Sequence, residues 1–267
     1  MDQETVMKQM PLIIGHRGAS AHAPENTLAA FQMAIDAGAD GVEFDVQLAK
    51  DGVPVVIHDA TLKRTGGQKD GVVDLTSKEL GKIDIGSWFN KKYPKRANPD
   101  FVQETVPTLA QTLRLLKSSD GLIYIELKAT DADYRDLAKA VCDVIRDSPL
   151  LPRIIVKSFK LGAIPEIRHH LPQVLTAALF APQIMDYLRR RKYIIAMARE
   201  FGAHQISLHH SLVTKNLTAL ATQAGMPVTI WTADNPKWIK RCQKLGIGAL
   251  ITNDPARLLN VCDMKNK

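Results

Sequence analysis

The sequence predicts an α/β fold: a (β/α)8 TIM barrel with a small insertion after its second strand. Three observations lead there. Short apolar runs recur along the chain, each followed by a polar turn and an amphipathic stretch at helical spacing. Parallel strands need such helical crossovers, and about eight strand–helix units in one chain describe a closed barrel. The chain is 45% apolar but only 6% aromatic, so Ala, Ile, Leu and Val supply the bulk. That suits strands buried on both faces. The 267 residues are expected to form one barrel domain spanning 1–267.

The elements follow in order. A β-rich run at 12–14 is the first strand. Asn26-Thr27 then precedes Leu28, Phe31 and Ile35, which share a helical face, and Gly38 stops that helix. The second strand covers 42–48. Asp51-Gly52 between two β-rich runs is a hairpin signal. A turn centred between those two residues would place His58 opposite Asp45. Residues about 60–106 break the rhythm, being rich in Gly, Lys, Asp, Asn and Pro. They are expected to form an insertion packed over one end of the barrel, since loops that long in a compact domain are usually functional. Thr108 opens a helix through Leu109, Leu113 and Leu116. Further strands are expected at 122–127, 154–156, 175–180, 205–208, 228–231 and 249–252. Thr214 and Asn235-Pro236 open two more helices, closed by Gly225 and Gly246.

Lys plus Arg number 35 against 28 for Asp plus Glu, a formal charge of +7. A basic surface favours anionic partners. The run Arg189-Arg190-Arg191-Lys192 reads as a solvated helix face. Nucleic-acid binding would want aromatics interleaved with the charge or a recognisable module, and neither is present, so no nucleic-acid partner is expected. No stretch approaches the length of apolar sequence that a membrane span needs, and residues 1–10 have no apolar core of a secretory signal. A cytoplasmic protein with no stable membrane insertion is expected. Cys142, Cys242 and Cys262 lack metal-site spacing and are read as reduced thiols.

Four segments carry chemistry. Gly15-His16-Arg17-Gly18 follows the first strand, at the end of a barrel where active sites are built. A His-Arg pair there is weak alone, because a lone histidine is often structural. In Glu43-Phe44-Asp45, alternation puts both carboxylates on one face of an apolar strand. Burying them is expensive unless a positive group pairs with them. Structural lysines or arginines would serve; a hard cation such as Mg2+ or Ca2+ would serve better, given an oxygen-only ligand set. The third segment is the Asp51-Gly52 hairpin leading to His58-Asp59. The fourth is Ile123 to Lys128, where Glu126 and Lys128 share a face and a third carboxylate joins the first two. Together, two histidines, three carboxylates, Arg17 and Lys128 are the parts that phosphodiester hydrolysis needs.

These motifs resemble those of the glycerophosphodiester phosphodiesterase family. Gly15 to Gly18 followed by Pro24-Glu25-Asn26-Thr27 is similar to its opening motif. Gly41 to Val46 through Asp51-Gly52 and His58-Asp59 resembles the second, and Tyr124 to Lys128 the third. Trp231-Thr232 and the segment from Gly248 to Pro255 look like its last two strands. The resemblance spans nearly the whole chain. It implies hydrolysis of a small-molecule glycerophosphodiester to sn-glycerol 3-phosphate and an alcohol, within glycerol and lipid metabolism. It implies one divalent cation, Mg2+ or Ca2+, on Glu43, Asp45 and Glu126, with His16 and His58 as the acid–base pair. Arg17 and Lys128 would contact phosphate, Trp231 would pack on the glycerol, and Phe159 would line the pocket. A cyclic phosphate intermediate is proposed for the family, with His58 protonating the first leaving group and His16 activating a glycerol hydroxyl. The family usually has Asn where Asp234 stands, and Asp where Gly248 and Asn253 stand. None of these carries the core chemistry as read from sequence.

Two other functions compete. A lysophospholipase D would share the site but add an apolar rim, for which Trp88, Phe89, Tyr93 and Phe101 are candidates. A non-enzymatic anion-binding barrel would use the basic face. His22, the pair His169-His170 and the pair His209-His210 are expected at the rim or surface. Trp88 and Phe89 either cap the pocket or anchor the insertion. The sequence leaves the oligomeric state and the preferred alcohol open.

Overall fold

The structure is a computed structural model and describes residues 10–188 and 190–263. Residues 1–9, read above for a leader, and Arg189 of the basic run lie outside the described residues. Eight strands run parallel: β1 (Leu12–His16), β2 (Gly41–Leu48), β4 (Leu122–Leu127), β5 (Ile154–Ser158), β6 (Leu175–Phe180), β7 (Gln205–His209), β8 (Val228–Trp231) and β9 (Ala249–Thr252). Their order is sequential, and β1 pairs with both β2 and β9, which closes the barrel. All eight expected strands are present. The short antiparallel strand β3 (Pro54–Val56) is appended to the last residues of β2.

The helices are α1 (Leu28–Asp36), α2 (Ser77–Leu80), α3 (Ser87–Lys92), α4 (Leu109–Leu116), α5 (Tyr134–Ile145), α6 (Ala163–His170), α7 (Ile184–Tyr187), α8 (Lys192–Glu200), α9 (Lys215–Gln223), α10 (Lys237–Leu245) and α11 (Pro255–Asp263). Their starts match the caps expected from sequence: the Thr27, Thr108 and Thr214 hydroxyls accept from the backbone N–H three residues on. Gly38, Gly225 and Gly246 all hold left-handed φ beyond helix ends. Alternation sorts the strand side chains. Phe44, Val46, Ile125 and Val156 face outward into a core with α1, α4, α5 and α6. Ile14, Tyr124, Ile155, Ala177 and Ile251 face inward and fill the floor of the barrel.

The hairpin register differs from expectation. Val46 lies opposite Val56 and Gln47 opposite Val55, so Ile57, not His58, stands across from Asp45. The turn is a three-residue one. Ala49 N–H donates to Val53 O, Gly52 N–H donates to Ala49 O, and Gly52 has φ +74°. Asp-Gly serves both the two-residue turn and this bulged form, in which Gly takes the left-handed position. Residues 60–106 form short helical turns with two small cores of their own. One gathers Leu62, Val72, Leu80, Ile83 and Ile85 under the hairpin, and the other packs Phe89 and Phe101 against Ala23 and Ala30 beside α1.

Candidate active site

Parallel register brings the polar residues together above the barrel floor. His16 pairs with Glu43, Asp45 with Glu126, and Glu126 with Lys157 across neighbouring strands. Glu43, Asp45 and Glu126 are all buried, and one carboxylate oxygen of each lies within 4.8 Å of the others. Three fixed cations face them. Lys157 Nζ is 2.7 Å from Glu43 and 3.8 Å from Glu126. Lys128 Nζ is 3.1 Å from Glu126 and 3.9 Å from Asp45. Arg17 Nε is 3.1 Å from Asp45. The structural ion pairs weighed from sequence are therefore partly realised.

These charges set the acidities. Burial pushes Asp45 up, but Arg17, His58 and Lys128 overrule it and hold Asp45 below the usual carboxylate range. Glu126 is raised, first by burial and then by Asp45. A buried carboxyl pushed up by a like-charged neighbour marks a cluster still short of positive charge. That shortage and an all-oxygen donor set fit a hard divalent cation.

Both histidines present Nε2 to this cluster and are held through Nδ1. His16 Nε2 is 3.9 Å from Glu43 Oε2, and its Nδ1 is 2.7 Å from Asn253 Oδ1. Asp234 accepts from the Asn253 amide nitrogen at 2.8 Å, which leaves Oδ1 for His16 and for the Ser20 hydroxyl. His16 therefore donates from Nδ1 and keeps Nε2 as the acceptor. Burial lowers its pKa. His58 Nδ1 donates to Asp59 at 2.7 Å, and Lys128 Nζ lies 3.2 Å from its Nε2. Despite the shifted register, His58 reaches the site because β3 has already ended; the Gln47 amide holds the carbonyls of Ile57, His58 and Asp59.

Sequence reasoning missed several of these side chains. Lys157 lay one residue past the expected end of its strand, yet it shares a face with Ile155 and is 1% exposed. Asn26 was read with Thr27 at a helix start. Thr27 does cap the helix, while Asn26, at φ +59°, donates to Asp45 at 2.9 Å. Asn253 and Asp234, judged remote from the chemistry, instead orient His16. Glu25 accepts from Arg17 at 2.6 Å and from Arg64 at 2.7 and 2.8 Å.

Other expectations sort cleanly. Phe159 stands at the mouth, 41% exposed and 5.4 Å from Trp231, whereas Ser158 is buried and bonded to Leu127 O. Trp88 borders the pocket beside His16 and Arg17, and Phe89 is the anchor. His22 pairs with Asp254 at 3.2 Å. The His209 and His210 rings, expected at the rim or surface, lie 4.3 Å apart because the strand ends at His209 and the chain turns; His209 also meets Trp231 at 5.1 Å.

Residues 16–257 match the model of the glycerophosphoryl diester phosphodiesterase family. The chain belongs to this family. It is a hydrolase family, so the protein is an enzyme. A glycerophosphodiester phosphodiesterase of Caldanaerobacter subterraneus is 32% identical over 94% of this chain and 97% of its own. A putative family enzyme of Bacillus subtilis is also 32% identical, over 91% of this chain and 94% of its own. Among solved structures, a putative glycerophosphoryl diester phosphodiesterase of Silicibacter pomeroyi covers 96% of this chain and 95% of its own, with 28% identity and a TM-score of 0.85. An Oleispira antarctica phosphodiesterase shares the fold, with a TM-score of 0.82 at 24% identity over 95% of this chain and 97% of its own. Family membership leaves the roles of individual side chains to be argued from the geometry. Among the described residues, no helix is long and apolar enough to cross a membrane.

Proposed function

We propose that this chain, a single barrel domain with the 60–106 insertion, hydrolyses glycerophosphodiesters to sn-glycerol 3-phosphate and an alcohol. The Oleispira enzyme was solved with sn-glycerol-3-phosphate as its product. One observation carries the mechanism: a cluster of three carboxylates is approached by two histidines, each anchored at Nδ1 with Nε2 directed inward. Glu43, Asp45 and Glu126 would hold a divalent cation, Mg2+ or Ca2+. When bound, the cation would supply Lewis-acid polarisation of a phosphoryl oxygen.

The chain's own residues do the rest. Arg17 and Lys128 meet the other phosphoryl oxygen as charge develops there. His16, kept neutral by burial, accepts a proton from the attacking glycerol hydroxyl at Nε2. His58, steadied at Nδ1 by Asp59, is the group that gives a proton from Nε2 to the departing alkoxide. The cyclic phosphate formed in that step is then opened by water, with the two proton transfers reversed. Trp231 and Phe159 wall the glycerol side.

The acyl-chain alternative loses its rim. Phe89 and Phe101 are inside the insertion's core, and Lys92 lies against the faces of Trp88 and Tyr93. The test is His16→Ala and His58→Ala, each expected to lower kcat by about 10²–10⁴-fold. Circular dichroism should be unchanged. Full turnover by either variant would remove the acid–base pair, and activity indifferent to EDTA would remove the cation.

A further inference from the structure

The insertion places one cation between two arms of the site. Its stem is built first. Thr61 pairs with Gly71 in an antiparallel bridge, Leu62 N–H donates to Asp70 O, and Gly66 N–H donates to Leu62 O. Leu62 is buried in the insertion's core under the hairpin, which fixes the backbone from which Arg64 extends. All three guanidinium nitrogens of Arg64 are then used. Nη1 and Nη2 donate to the two oxygens of Glu25 at 2.8 and 2.7 Å, and Nε donates to Asp59 Oδ2 at 2.6 Å. The Trp88 ring centroid lies 5.6 Å from the guanidinium carbon. The point charge of a lysine could not make this planar fork.

Each carboxylate passes the hold to a different side chain. Asp59 Oδ1 accepts from His58 Nδ1 at 2.7 Å, and Glu25 Oε1 accepts from Arg17 Nη1 at 2.6 Å. The two arms do not depend on Arg64 equally. Arg17 has a second anchor in the buried Asp45, 3.1 Å from its Nε. The His58 and Asp59 side chains are 30% and 27% exposed, so water competes for the bond between them. Burial pushes Asp59 up, but the hydrogen bonds from Arg64 and His58 overrule it and bring its pKa down to about 2. Asp59 is thus a full carboxylate, accepting at both oxygens. Released from Arg64, it would turn toward solvent, and the His58 ring would lose the partner that directs Nε2.

We propose that Arg64 is a positioning residue for protonation of the leaving group: by fixing Asp59, it aims His58 Nε2 at the departing alkoxide. The assignment rests on the acid role of His58 proposed above. It gives the insertion a part in the chemistry, delivered through a single side chain.

Two esters of sn-glycerol 3-phosphate test it, one of choline and one of p-nitrophenol. The choline alkoxide needs a proton to leave, whereas p-nitrophenolate leaves without one at neutral pH. The comparison is made in kcat/KM for release of the alcohol, the step in which His58 acts as acid. Arg64→Ala should lower it about 10–100-fold on the choline ester and less than about threefold on the p-nitrophenyl ester. Arg64→Lys keeps the charge but not the fork, and should show the same split with a smaller loss. Each variant is compared once its circular dichroism matches the wild type. An equal loss on the two esters would overturn the proposal, since Arg64 would then serve the shared phosphodiester, directly or through Arg17. So would full activity of Arg64→Ala on the choline ester. His58→Ala is the control on the underlying reading: if it lowers both esters equally, the acid role of His58 falls, and the role of Arg64 with it.

Discussion

Asn253 places a neutral oxygen where a carboxylate would perturb His16. Asn253→Asp adds a negative charge 2.7 Å from Nδ1 and stabilises the imidazolium. His16 is lowered in the native protein, chiefly by burial, so the substitution works against that shift. A base with a higher pKa stays protonated to a higher pH, and the acid limb of the kcat/KM–pH profile should move up by about one unit or more. An unmoved limb would separate His16 from the base role. Lys157 offers a second residue-scale test. Lys157→Met leaves Glu43 buried beside two other carboxylates and should cost about 3–5 kcal/mol in metal-free protein, read by urea unfolding. Saturating Mg2+ should restore more stability to the variant than to the wild type, since a cation and Lys157 neutralise the same charge. Lys157 escaped the sequence because a single lysine after Ile154, Ile155 and Val156 reads as a strand end. Only the pairing of Glu126 with Lys157 across β4 and β5 turns it inward. The carboxylates were legible because two acids at alternate positions in an apolar strand demand a partner.

At the scale of elements, two glycines divide the work of the site's loops. Gly18 has φ +81°, and a Cβ there would collide with the Ala30 backbone at the start of α1. Gly52 has φ +74° at the hairpin tip with open space around it. Gly52→Ala should therefore cost only the left-handed backbone penalty, about 1 kcal/mol, and leave turnover in place. Gly18→Ala must also push α1 away from β1 and carry Arg17 with it; it should cost several times more and lower kcat. Equal unfolding midpoints for the two variants would contradict this. The hairpin shows where local sequence runs out. Asp51-Gly52 announces a turn but not its length, and one extra loop residue shifts every partner. The helices α2 and α3 were invisible for a related reason. Four- and six-residue helices are too short for a periodic signal and exist because the insertion's core holds them.

The whole barrel was legible because its rhythm is repeated and each strand is buried on both faces, so apolar runs, threonine caps and glycine stops recur in phase. The site was legible only in the strands that supply its acids. Residues joined to it across the closure of the barrel, Asn253 and Asp234, carry no local mark. The carboxylate cluster also makes a prediction for the molecule as a unit. Ca2+ or Mg2+ at about 100 times its Kd should stabilise the folded chain by about 2.7 kcal/mol and raise Tm. The double variant Glu43→Gln, Asp45→Asn should show no rise; an equal rise in both would place the ion elsewhere.

The bond between His16 and Asn253 joins residues 237 positions apart, from the first strand and the loop after the last. During synthesis, the strands bearing Glu43, Asp45, Glu126 and Lys157 leave the ribosome long before residue 253 does. Without β9 docked beside β1 the His16 ring loses its Nδ1 partner, so competence for proton transfer depends on closure of the barrel.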